Sequence, residues 1–163
     1  MSEVIESENI EFHEKIAKHT FNETWDYLDK KDRNDEDDLN MIHTAHTSRY
    51  HWGILVSEGK GGAINLQRGE WIISRVYSTL ERGEPALYHA KKCLELTESN
   101  NIKDFDLAFA YEAMARASAL VKNKKNFEKY FELAKEAGEK INKKDDQEYF
   151  FQELNGGPWY KIK

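Results

Sequence analysis

The stretch from His43 to Trp52 reads HTAHTSRYHW and holds three of the six histidines in the chain. At 100° per residue on a helix, His43, His46 and Tyr50 share one stripe, whereas His51 and Arg49 lie off it. Two imidazoles one turn apart can share a first-row metal if another element supplies a further ligand, and His13 is the best outside candidate. A hydrogen-bonded pair of buried histidines explains the same spacing without a metal.

Three histidines facing one another across two helices would be a zinc, iron or manganese site. Such a site resembles the helical-bundle metalloenzymes of the DinB type, and the resemblance implies a metal-dependent reaction with His13, His43 and His46 as ligands. No HExxH or comparable metal motif accompanies these histidines. The sequence therefore keeps the metalloenzyme as the alternative function and assigns no catalytic residue.

A second cluster lies on the segment Asn65 to Trp71, NLQRGEW, and its continuation. Arg68, Trp71 and Arg75 occupy one face of the helix predicted there, opposite its aliphatic face. A flat apolar ring between always-charged planar donors suits a ligand with carboxylate or phosphate groups. Two alternatives stay open: Trp71 belongs to the core, or the arginines pair with acids of the chain such as Glu70, Glu112 or the run from Asp35 to Asp38.

Composition limits the classes of partner. The 163 residues carry a net charge of −6, which argues against broad affinity for nucleic acid. No apolar run approaches 18 residues and the start, MSEVIESENIEF, is acidic, so we expect a cytoplasmic protein without a membrane span or signal peptide. Cys93 lies among apolar residues and is interpreted as a core residue rather than a nucleophile.

Apolar periodicity predicts an all-α protein of about six main helices and a short C-terminal one, since no segment alternates like a strand. Asn34 followed by four acids is a helix start, the glycines from Gly59 to Gly62 form a turn, and Pro85 fits a first helical turn. The predicted helices run over Ile10 to Asp29, Asp35 to Val56, Ala63 to Arg82, Glu84 to Ser99, Phe105 to Val121, Phe127 to Ile141 and Gln147 to Leu154.

Two segments repeat at a spacing of about forty residues: TLERGEPALYHAKKCLEL from Thr79, and ALVKNKKNFEKYFELAKEA from Ala119. Over about residues 67–141 the chain resembles tetratricopeptide-repeat proteins, in the small residues of LAFAYEAMARASALV and the aromatics of the helix after it. The linker SNNIKDFD is longer than that family's usual turn, and the helices before Gly59 do not match its motif. The SRYHW and NLQRGEW patterns also resemble patterns found in an uncharacterised family of bacterial proteins, and this resemblance implies no activity.

The resemblance implies a right-handed stack of antiparallel helix pairs in a single domain, residues 1–163. An N-terminal pair spans about 8–56, two repeat-like pairs span 63–141, and a short helix and tail span 142–163. In such arrays the first helix of each pair lines a concave surface. The sequence thus favours a binding module without a cofactor, whose pocket for an anionic peptide, protein or small ligand is lined by His43, His46, Tyr50, Arg68, Trp71 and Arg75. A third interpretation is a homodimer formed through the terminal helices.

Overall fold

A computed structural model describes residues 3–162, with side chains from residue 8 onward. Residues 3–162 form seven helices and contain no strand, so the all-α prediction is confirmed. Six long helices precede a shorter seventh, as expected. They are α1 (Glu3–Asp29), α2 (Asp35–Ser57), α3 (Ala63–Thr79), α4 (Gly83–Ser99), α5 (Asp104–Leu120), α6 (Lys124–Glu139) and α7 (Lys144–Gly156).

The start of α2 follows from its sequence. The Asn34 side chain accepts a hydrogen bond from the amide of Asp37 (2.8 Å), and the Asp37 carboxylate accepts one from the amide of Asn34 (3.1 Å). This reciprocal pair satisfies two amides that the first turn leaves open. Four acidic residues in that turn add a favourable interaction with the helix dipole.

Four successive helices, α2 to α5, end in the same way. Each is followed by one residue with positive φ: Gly59, Glu81, Asn101 and Lys122. The amide after that residue donates to a carbonyl of the last helical turn, as in Arg82 to Tyr77 (2.8 Å) and Asn123 to Ser118 (3.0 Å). This Schellman arrangement stops a helix and reverses the chain within a few residues. It ends α3 at Thr79 rather than at Arg82, where the apolar pattern had placed the end.

The helices pack as three antiparallel pairs, α1 with α2, α3 with α4 and α5 with α6, and α7 packs against α5 and α6. The odd-numbered helices also contact one another in order, so α1, α3, α5 and α7 form an inner layer. The even-numbered helices form the outer layer. This is the arrangement in which first helices of pairs share one surface.

Small residues allow the close packing around α5, which contacts α3, α4, α6 and α7. Six of its alanines are buried: Ala108, Ala110, Ala113, Ala115, Ala117 and Ala119. Gly138 of α6 has the same role toward α7, because a Cβ at this position would overlap the ring of Phe150. Phe150 is itself fully buried and stands edge-on to Phe109 of α5, with 5.0 Å between ring centroids.

Cys93 is fully buried in the core between α4 and α5, and burial raises the pKa of its thiol. Its placement agrees with the interpretation of Cys93 as a core residue. None of the helices in the described part of the chain has the length and apolar character needed to cross a bilayer.

Candidate functional site

A groove runs over α3, between α1 on one side and α5, α7 and the segment 158–161 on the other, and Trp52 of α2 lines one of its ends. The groove consists of four depressions in a row, and each depression shares lining residues with the next. From one end of the row to the other, the shared residues are Phe21 and Arg68, then Trp25 and Tyr149, and finally Leu28, Arg75 and Thr79. On α3 the lining residues extend from Asn65 to Thr79. At 1.5 Å per residue these fourteen steps correspond to a groove of about 21 Å.

The central depression, here called the cleft, has a volume of about 260 Å³. Six aromatic side chains line it, from all four inner helices: Phe21, Trp25, Trp71, Phe105, Phe109 and Tyr149. The Trp25 and Trp71 rings stack with centroids 5.7 Å apart, and Phe109 stands edge-on to Trp71 at 5.5 Å. These contacts hold the walls in place, and the cleft presents apolar ring surface to solvent.

Arg68 lies at the rim of the cleft and is paired with Asp106 of α5. Its Nε and Nη2 atoms both donate to the carboxylate, at 2.9 Å each. This hydrogen bond, more than the charge of Asp106 alone, raises the pKa of Arg68. The Arg68 side chain is still 53% exposed, and its Nη1 has no hydrogen-bond partner among residues 8–162. The Nη1 amino group, which carries two N–H donors, therefore remains for an anion.

Arg75 lies further along the groove and is held by two acids. Its Nη2 donates to Glu153 of α7 at 2.7 Å, and its Nη1 lies 3.6 Å from Glu112 of α5. Glu112 in turn binds Arg116 of the same helix, whose Nε is 2.5 Å from the same carboxylate. Arg68 and Arg75 are therefore both paired with acids of the chain, which is one of the two alternatives left open by the sequence.

The structure divides the set of binding residues expected from the sequence. Arg68, Trp71 and Arg75 line the groove, whereas none of the depressions that form it includes His43, His46 or Tyr50. His43 and Tyr50 are exposed on α2. A pocket bordered by both sets is therefore not formed, because α2 reaches the groove through Trp52 and not through these three residues.

His46 belongs to a separate polar cluster between α2, α3 and α4. Its Nε2 is 2.9 Å from the Tyr77 hydroxyl, and its ring stands edge-on to His89 at 5.3 Å. His89 Nδ1 is 2.6 Å from one oxygen of Glu70, and Arg49 donates to the other at 3.0 Å. Burial lowers the pKa of His46 and the nearby His89 lowers it further, although the charge of Glu70 opposes both.

We expect this cluster to make the protein less stable in mild acid. Unfolded His46 titrates near pH 6.5, and folded His46 titrates lower. As the pH falls below about 6.5 the unfolded chain takes up the proton first, so acid favours unfolding. His46→Gln should therefore lose less stability than the wild type between about pH 7.5 and 5.5, as measured by urea unfolding.

His19→Gln is the matched control, because the His19 side chain is 75% exposed on α1. It should keep the full acid sensitivity of the wild type. His51 contributes in the same direction as His46, since burial and His13 lower its pKa; some sensitivity will remain in His46→Gln. An undiminished loss in that variant would contradict the assignment to His46.

The histidines proposed as metal ligands do not converge. His13 Nδ1 is 2.7 Å from His51 Nδ1, His46 contacts Tyr77, and His43 is exposed. Over the part of the chain that the structure describes, no three His, Cys, Asp or Glu side chains form a group able to hold a metal ion. The zinc, iron or manganese enzyme thus has no ligand set in this region.

Several groove residues were not singled out from the sequence as ligand contacts. Phe21 and Trp25 fit the apolar periodicity of α1, and no local pattern marks Phe105, Phe109 or Tyr149 as ligand contacts. Their common signal is their position on α1, α5 and α7, which belong to the same layer as α3. An excess of aromatics on first helices would have located the cleft.

In comparisons with known proteins, neither a family model nor a curated protein nor a solved structure matches the chain. The groove is therefore the feature of this protein that indicates a function.

Proposed function

We propose that the protein is a helical-repeat binding module of the tetratricopeptide-repeat type that holds an extended peptide in the groove. An apolar side chain of the peptide enters the cleft, and an acidic group beside it meets Nη1 of Arg68. The observation that carries the proposal is the cleft of six aromatic rings in the middle of a continuous groove. A binding function fits this geometry better than catalysis, because the groove combines apolar surface with paired charges.

The aromatic lining is the first support. An apolar depression rimmed by polar groups is typical of a binding site, because exposed apolar surface is otherwise unfavourable in water. Tyr149 remains 41% exposed although it lines the cleft. A side chain that fills the cleft would remove such ring surface from water, which is the main favourable term in binding.

The length of the groove is the second support. An extended peptide rises about 3.3 Å per residue, so a groove of about 21 Å holds about six residues. A small compact ligand would occupy only one of the four adjoining depressions. The groove therefore suits a segment of a protein partner.

The distribution of charge is the third support, and it narrows the expectation of an anionic ligand. Glu153 and Glu112 already neutralise Arg75, so a general attraction for anions is weak in that part of the groove. Arg68 has a free donor at the rim. We therefore assign one acidic contact to the peptide, next to its apolar anchor, and the partner is a protein in the cytosol rather than a nucleic acid.

Selection from a library of random hexapeptides displayed on phage provides the test. We expect enrichment of peptides with an apolar or aromatic residue next to an acidic one, and the tightest synthetic peptide serves as the probe in calorimetry. Tyr149→Arg should weaken binding of this peptide by about tenfold or more, because it places a cation over the cleft and removes a hot-spot ring.

Tyr88→Arg is the matched control, since Tyr88 is a tyrosine of α4 that is 58% exposed and lines none of the groove depressions. It should bind the peptide as the wild type does. Selected peptides without a shared apolar residue, or equal loss of binding in the two variants, would overturn the proposal.

A further inference from the structure

Gln67 lies in the wall of the cleft and is 1% exposed. Its amide nitrogen donates two hydrogen bonds, to the hydroxyl of Thr97 at 3.2 Å and to the main-chain oxygen of Asp106 at 3.0 Å. Its amide oxygen, Oε1, has no hydrogen-bond partner. A buried acceptor without a donor is unusual and costly in a folded protein, so its surroundings need explanation.

The orientation of this amide is fixed by its neighbours. The Thr97 hydroxyl gives its own hydrogen to the carbonyl of Cys93 at 2.7 Å, so toward Gln67 it can only accept. The main-chain oxygen of Asp106 is likewise an acceptor only. Both contacts require the NH₂ group of Gln67, and exchanging nitrogen and oxygen would place acceptor against acceptor twice. Oε1 is therefore the polar atom of Gln67 that has no hydrogen-bond partner, in a residue that lines the cleft.

The group that completes Oε1 must bring a donor into an aromatic environment. Phenylalanine and leucine have no donor, and a tyrosine hydroxyl would bury an oxygen that itself needs a donor. An indole is a donor only, and the rest of its surface is a flat apolar ring. Stacked and edge-on rings already line the cleft at 5.7 and 5.5 Å spacings, which are the separations that an added ring would adopt.

We infer that the side chain held in the cleft is a tryptophan of the bound peptide, with its indole N–H donating to Oε1 of Gln67. This inference rests on the proposed function and deepens it by naming the anchor residue. Oε1 is shielded from solvent, so an indole reaches it only if a side chain that lines the cleft moves aside. The acidic residue next to the tryptophan then meets Arg68, which follows Gln67 in the chain.

The test uses capped tripeptides, Ac-Gly-Trp-Gly-NH₂ and the same peptide with phenylalanine or 1-methyltryptophan in the middle. Each is titrated into ¹⁵N-labelled protein and followed by NMR. We expect the tryptophan peptide to bind about five to tenfold more tightly than the 1-methyl analogue, the usual effect of one hydrogen bond. The side-chain NH₂ signals of Gln67 should shift with the tryptophan peptide.

The variant Gln67→Met removes the acceptor at nearly the same volume. There the tryptophan and 1-methyltryptophan peptides should bind equally, which separates the hydrogen bond from the bulk of the methyl group. Should this variant fail to fold, the comparison of the two peptides on the wild-type protein still decides the question. Equal binding of the two peptides to the wild type would overturn the inference, as would free tryptophan that binds as tightly as the tripeptide.

Failure of the inference and failure of the proposed function give different results. If Tyr149→Arg abolishes binding of the hexapeptide but the three tripeptides bind the wild-type protein equally, the groove binds peptides and the tryptophan assignment is wrong. If Tyr149→Arg and Tyr88→Arg bind the hexapeptide alike, the groove is not the binding site.

Discussion

Replacing Glu112 with methionine is expected to lower the free energy of unfolding by about 3–5 kcal/mol. Glu112 is 1% and Arg116 2% exposed, and the carboxylate is the only acid that Arg116 contacts among residues 8–162. Methionine keeps the volume but leaves the guanidinium buried without an opposite charge. Urea unfolding followed by circular dichroism measures the loss.

A second variant tests whether the unpaired charge is the cause. Glu112→Met combined with Arg116→Met removes both charges and should be less destabilising than Glu112→Met alone. Glu148→Met is the control, because Glu148 pairs with Lys144 at the same i,i+4 spacing but on an exposed surface. Its effect should stay below about 0.5 kcal/mol. Additive losses in the double variant would contradict the assignment.

Phe150→Ala is expected to cost about 3–5 kcal/mol, the usual range for a fully buried phenylalanine. The ring fills the space above Gly138 and stands edge-on to Phe109, so it joins α7 to both α6 and α5. Its removal should also loosen α7, which carries Tyr149 of the cleft. Chemical denaturation gives the total loss, and amide exchange of α7 gives the local one.

Phe12→Ala is the matched control, because Phe12 is an exposed phenylalanine of α1. A surface substitution of this kind changes stability by at most about 0.5 kcal/mol. A loss of similar size in the two variants would mean that the contacts of Phe150 do not hold α7 in place.

The order and type of the helices could be predicted because the signals are local. Asn34 and the four acids after it indicate the start of α2, and the glycines before Ala63 indicate the turn that leads to α3. The start of α1 at Glu3 rather than at Ile10 could not be predicted, since Ser7, Glu8 and Asn9 do not continue the apolar periodicity of the helix. The end of α3 was missed because Glu81, a residue that rarely adopts positive φ, takes the position where glycine is usual.

The site was only partly predictable, because it depends on contacts distant in sequence. The orientation of Arg68 and Trp71 away from the aliphatic face of α3 was evident from periodicity alone. The partner of Arg68 is 38 residues away, and that of Arg75 is 78 residues away. Such pairs depend on how one helix pair rotates against the next. For the same reason the sequence grouped His46 with Trp71, although α2 and α3 present these residues in different layers.

The ion pairs of Arg68 with Asp106 and of Arg75 with Glu153 connect α3 to α5 and to α7 along the groove. They fix the distances from α3 to α5 and from α3 to α7 before any partner arrives. Binding would then require little ordering of the protein, and the entropy lost on association would come mainly from the partner. Raised ionic strength should weaken these ion pairs, so salt would alter the width of the groove as well as its electrostatic attraction for a partner.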